Sequence, residues 1–126
     1  MSEKKRALVW LVHGSRDSSW QGPFRELKEE LGREVPGVRF ALASLQFGSP
    51  DLEKAVSELV SEGIAEIIIV PGFIGSRGHV LRDLPKLEAK IKNKFPKVII
   101  TMTEAIGEQT EVKEAFKRCM IRLAGQ

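Results

Sequence analysis

The stretch Ala7-Leu8-Val9-Trp10-Leu11-Val12, closed by His13-Gly14, decides the fold. An unbroken apolar run with β-branched members is the pattern of a strand covered on both faces, and such strands belong to parallel sheets with helices on either side. Downstream, Asp17, Ser18 and Ser19 can cap a helix in which Trp20, Phe24, Leu27 and Leu31 recur at helical spacing, with Pro23 tolerated in its first turn. The cycle then repeats. Val38 to Leu45 reads as a second strand, and Ser49-Pro50-Asp51 opens a helix whose Leu52, Ala55, Val56, Leu59 and Val60 form one stripe ending at Gly63. Ile64 to Val70 is the most hydrophobic strand. The glycine-rich stretch from Pro71 to His79 leads to a third helix marked by Val80, Leu84, Leu87 and Ile91, with Pro85 near its start. Lys97 to Thr103 is the fourth strand, and Val112, Ala115, Phe116, Cys119, Met120 and Leu123 stripe a closing helix.

Four consecutive strand–helix units predict a three-layer α/β/α sandwich around a four-stranded parallel sheet, because each right-handed crossover lays a helix over a sheet face. The expected strand order is 2-1-3-4. In such a sheet ligands bind beyond the carboxyl ends of the strands, where the winding direction reverses, here between strands one and three. A length of 126 residues fits a single domain over 1–126, and the 42% hydrophobic and 29% charged content suits one sizeable core. No apolar run approaches the roughly 20 residues a membrane helix needs, and the N-terminus lacks a signal-peptide core, so a cytoplasmic protein is expected. The net charge of +3 comes with no arginine-rich face or nucleic-acid motif, so nucleic acid is not an expected partner. The lone Cys119, on the apolar stripe of the last helix, is expected to be a buried thiol.

The chain has only two histidines: His13 at the end of the first strand, His79 in the loop after the third. Adjacent strands lie about 4.8 Å apart, so side chains rising from their ends can converge on one ion, and paired imidazoles suit zinc, copper, cobalt, nickel or iron. The bland alternative is that each histidine caps a helix or bonds a loop. Both flanks favour an anionic ligand. His13-Gly14-Ser15-Arg16 precedes a helix N-terminus, and Gly75-Ser76-Arg77-Gly78-His79 repeats glycine, hydroxyl and cation in the facing loop.

The run Leu11-Val12-His13-Gly14-Ser15-Arg16, then Val70-Pro71-Gly72-Phe73, then Gly78-His79-Val80 with Asp83-Leu84-Pro85, resembles the short form of the CbiX family, the sirohydrochlorin cobaltochelatases. The resemblance implies a chelatase-like fold and a homodimer standing in for the two-domain chelatases. It also implies insertion of Co²⁺ (Ni²⁺ or Fe²⁺ in relatives) into sirohydrochlorin or a related anionic tetrapyrrole. His13 and His79 match the family's metal-binding, catalytic histidines. Ser15, Arg16, Arg77 and Arg82 are then expected to hold the substrate's carboxylates, and Phe73 with Ile74 either to pack on the ring or to belong to the core. The metal is a substrate; no organic cofactor is expected. One departure stands out: similar chelatases carry Phe-Leu-Glu at the end of the second strand, and this chain has Ser44-Leu45-Gln46. Gln46 replaces an expected acidic metal ligand with a weaker, neutral amide oxygen. Glu53 and Glu104 are the nearest carboxylates to substitute for it. Two rival readings are a noncatalytic metal- or tetrapyrrole-binding protein, favoured by Gln46, and a phosphatase-like enzyme with a histidine nucleophile.

Overall fold

The computed structural model describes residues 5–14, 22–45, 50–74 and 82–126. Strands β1 (Arg6–Val12), β2 (Val38–Ser44), β3 (Glu66–Pro71) and β4 (Ile99–Met102) alternate with helices α1 (Gly22–Glu34), α2 (Leu52–Ser61) and α3 (Leu84–Lys94). A 3-10 turn (Ile106–Glu108) leads into the closing helix α4 (Thr110–Leu123). All pairings are parallel and the order is β2-β1-β3-β4, as expected. β3 and β4 start later than the apolar runs suggest. The Ile64 N–H instead donates to the Leu59 carbonyl at the end of α2, and the Val98 N–H to the Phe95 carbonyl after α3. Those residues finish the preceding turns before the ladder begins.

The described helices follow the apolar periodicity, and α2 starts at its expected cap. Asp51 accepts a hydrogen bond from the Lys54 N–H at 2.9 Å, an N-cap that contributes about 1 kcal/mol. Pro85 sits in the first turn of α3, where its missing N–H has no intrahelical partner to lose. Asp17, Ser18, Ser19, Trp20 and Val80 lie outside the described residues.

The two faces of the sheet are unequally covered. On one, Ala7, Val9, Leu11, Ala43, Ile67, Ile69 and Ile100 are buried against Leu52, Ala55, Val56 and Leu59 of α2 and Ile91 of α3. Each such large aliphatic side chain contributes roughly 1.5–3 kcal/mol by leaving water. On the other face α1 covers β2 and part of β1, with Phe24 edge-on to Trp10 at 4.9 Å between ring centroids. Leu8, Trp10, Ile68 and Val70 are only partly buried there, and Ile99 and Thr101 are exposed.

The closing helix departs from expectation. No residue of α4 is buried, and its packing is chiefly on the 3-10 turn from which it grows. Cys119 is accordingly exposed, not the buried thiol its place on an apolar stripe predicts. Periodicity identified the stripe, but a stripe does not say what it packs on. Among the described residues no helix is long and apolar enough to cross a membrane.

Candidate functional site

The winding reverses between β1 and β3: α1 leaves β1 over one face, while α2 and α3 return over the other. The crevice beyond their carboxyl ends is the ligand position such sheets provide. The register fixes what stands there. Leu11 pairs with Pro71, so two residues further on His13 faces Phe73. Their rings meet edge to face, with centroids 6.4 Å apart at 80°. His13 is exposed, held by a buried strand at its back and by an aromatic wall on the β3 side.

Local geometry explains why the sequence stops the strands here. Gly14 has φ 95°, a left-handed conformation that lets the chain turn off β1 directly after the histidine. The Gly72 N–H donates to the Leu11 carbonyl at 2.6 Å, and a Cβ at residue 72 would overlap the Trp10 indole. The close approach of loop to strand that seats Phe73 beside His13 thus depends on Gly72 lying over Trp10. Trp10 is a supporting residue that pattern reading passes over as one more apolar strand position; the only signal was a bulky indole inside an otherwise aliphatic run. Its buried Nε1 has no hydrogen-bond partner among the described residues.

The third strand end is equally close. Val12 pairs with Ser44, and the Leu45 N–H donates to the Val12 carbonyl at 2.8 Å. Ser44 is buried, and its N–H donates to the Pro50 carbonyl at 2.9 Å, so both ends of the short 46–49 connection are tied at the strand tips. Connections leaving β1, β2 and β3 therefore start side by side at one end of the sheet. They carry, in order, Ser15 and Arg16, Gln46, and Arg77 and His79, all five of which lie outside the described residues.

Of the described candidates, the structure brings His13 and Phe73 together. Ile74 is 74% exposed, which rules out the core role that was one of its two expectations, whereas Phe73 is partly buried. Arg82 is exposed just before α3, on the far side of the 75–81 connection. Neither substitute carboxylate is poised beside His13. Glu53, on α2, pairs with Lys94 at 2.6 Å, and Glu104 is an exposed residue beyond β4, one strand further out than β3. Among the described residues no group of three or more His, Cys, Asp or Glu side chains converges.

A second cleft, about 250 Å³ between α1, β2 and α2, is lined by Arg25, Lys28, Arg39, Glu58 and Glu62. Burial, with Arg39 alongside, holds the Lys28 ammonium below its ordinary pKa. Arg39 is itself paired with Glu62 at 3.1 Å, and the cleft holds none of the candidate site residues.

Comparison with known proteins agrees with this arrangement. The CbiX family model matches residues 7–123. The sirohydrochlorin cobaltochelatase of Sulfolobus acidocaldarius is 30% identical over 110 residues, covering 87% of this chain and 85% of the relative. That of Saccharolobus solfataricus is 28% identical over 115 residues, with 86% and 88% covered. The crystal structure of a CbiX protein from Marinobacter aquaeolei VT8 superposes with a TM-score of 0.76 at 23% identity, covering 94% of this chain and 97% of that one. The sirohydrochlorin chelatase SirB from Bacillus subtilis subspecies spizizenii, solved in complex with cobalt, matches with a TM-score of 0.75 at 25% identity. That match covers 95% of this chain but 51% of SirB, so this chain spans about half of it. A family match over nearly the whole length, on the strand order and strand-end site described above, places this chain in the CbiX family.

Proposed function

We propose that this protein is a sirohydrochlorin metal chelatase that takes Co²⁺ as its metal substrate. The observation that carries the reading is the register at the switch point. His13 stands at the end of β1 opposite Phe73, and His79 belongs by sequence to the connection that leaves β3 after Pro71. The names of the relatives supply the tetrapyrrole and the metal.

A tetrapyrrole accepts a divalent ion only when two pyrrolic N–H protons leave and the ion sheds part of its water shell. Neutral imidazole suits both requirements: it ligates a partly dehydrated metal, and it accepts a proton near neutral pH. In this reading His13 and His79 hold the ion against the ring, with Gln46 as a third, weaker donor, and one histidine passes the pyrrole protons to solvent. Ser15, Arg16, Arg77 and Arg82 hold the peripheral carboxylates, and the exposed Ile74 with Phe73 lies along the ring face. Among the N- and O-donor metals the affinity order does not favour cobalt over nickel, so cellular supply completes the choice.

The working unit is 1–126 as one domain, acting in the cytoplasm as a homodimer. One four-stranded sheet offers half the cleft needed to enclose a macrocycle, and SirB is about twice this chain's length. The second reading, a protein that binds metal or tetrapyrrole without inserting one into the other, is favoured by Gln46 in place of a carboxylate. A spectroscopic metallation assay separates them. The purified protein with sirohydrochlorin and Co²⁺ is expected to form the metallated product about 10²-fold or more above the uncatalysed rate. Binding of either substrate without acceleration by cobalt, nickel or iron would replace the chelatase with the binding protein.

A further inference from the structure

A glycine that the backbone angles do not demand marks a place where two stretches of chain touch main chain to neighbour. Gly22, Gly32, Gly37, Gly63 and Gly125 have open space where a Cβ would stand. Gly72 and Gly107 have none, and both lie against the aromatic wall that faces His13. Neither has a positive φ, so the backbone at both positions would accept any L residue. What each position forbids is the Cβ itself.

The two contacts differ in what they meet. A Cβ on Gly72 would enter the Trp10 indole, a side chain of β1. A Cβ on Gly107 would overlap the Cα, carbonyl carbon and carbonyl oxygen of Ile74, main-chain atoms that no rotamer can withdraw. Gly107 is buried, and its N–H donates to the Phe73 carbonyl at 2.9 Å. The 3-10 turn therefore lies directly against the main chain of Phe73 and Ile74, on the β4 side of the wall.

The turn is braced and the wall is not. The Thr103 N–H donates to the Ile69 carbonyl at 2.9 Å, which carries the β3–β4 ladder to the foot of the turn. Ala105 is buried, the Glu108 N–H donates to its carbonyl at 2.9 Å, and the Gln109 side-chain amide donates to the Glu104 carbonyl at 3.1 Å. Ile74, by contrast, is 74% exposed. A methyl group inserted between the two would displace the wall rather than the turn.

We propose that Gly107 is a positioning residue of the site: through the main chain of Phe73 and Ile74 it sets how far that wall stands from His13. Gly107 itself touches neither metal nor tetrapyrrole in this reading. The end of β4, which brings no candidate carboxylate beside His13, acts on the site through this backbone contact. What the wall does for the substrate rests on the proposed function; where the wall stands does not.

The ¹H–¹³C signals of the His13 ring, assigned by their loss in His13→Ala and recorded with the imidazoles neutral, read the placement of the Phe73 ring. Gly107→Ala is expected to move them by an amount comparable to Phe73→Leu. Gly32→Ala, at a glycine with open space for the methyl, is expected to leave them in place. In the metallation assay Gly107→Ala is expected to raise KM for sirohydrochlorin about tenfold, the worth of one apolar contact. The effect on kcat should be smaller, because His13 is carried by β1. A merely structural role would lower the amount of active protein, and with it kcat, without moving KM or the His13 signals of the folded molecules. Gln109→Ala, which removes the amide bond to Glu104 and only loosens the turn, is expected to show the same changes in weaker form. A folded Gly107→Ala in which either the His13 signals or KM match the wild type would overturn the proposal. So would a Gly107→Ala that does not fold together with a Gln109→Ala that matches the wild type. Absence of turnover in the wild type would overturn the chelatase reading alone, and the His13 signals would then decide whether Gly107 places the wall.

Discussion

Replacing His13 with alanine is expected to lower the rate of sirohydrochlorin metallation by about 10²-fold or more, and replacing His79 to do the same. The variants remove a metal-holding group and a proton acceptor at once, and those roles act on the same step, so the double variant should be scarcely worse than either single one. Stability should barely change for His13→Ala: the imidazole is exposed, and its described ring contact is the edge of Phe73. A shift within about 0.5 kcal/mol in a denaturant melt, alongside the lost activity, would separate chemistry from folding. Full activity in either variant would remove that histidine from the mechanism.

The opposite effect is expected at residue 46. A carboxylate near a divalent ion gains roughly 1–2 kcal/mol even at water-like dielectric, so Gln46→Glu should tighten Co²⁺ binding about tenfold. If metal capture limits turnover, metallation should quicken as well. The gain must disappear when His13→Ala is added, because the carboxylate assists a site that the histidine defines. It must also fade as pH falls far enough to protonate the new carboxylate, whose pKa the bound cation holds down. Unchanged affinity would show that residue 46 does not reach the ion, despite leaving β2 beside His13's strand.

How far the sequence could be read depended on which interactions set each feature. The apolar runs and caps located β1, β2 and α2 closely, because strand burial and the Asp51 cap are local in sequence. The strand order matches the expected 2-1-3-4, which sets the end of β1 beside the end of β3. The starts of β3 and β4 were less legible. Ile64 and Val98 look like strand residues, but their N–H groups close the turns behind them. Cys119 departs from its reading for a different reason: a stripe at helical spacing does not fix what the helix packs on, and no residue of α4 is buried. At the site, His13 was visible because few residue types ligate metal. The Trp10–Gly72 contact that seats Phe73 was not, since it joins residues far apart in the chain through shape alone.

The central claim is that two histidines from neighbouring strand ends share one ion, and Co²⁺ titration followed by absorption spectroscopy tests it most directly. Wild-type protein is expected to bind one Co²⁺ per site, with a ligand-field spectrum that His13→Ala and His79→Ala each abolish, and with affinity that falls as the imidazoles protonate. Unchanged Co²⁺ binding in both variants would contradict the shared site.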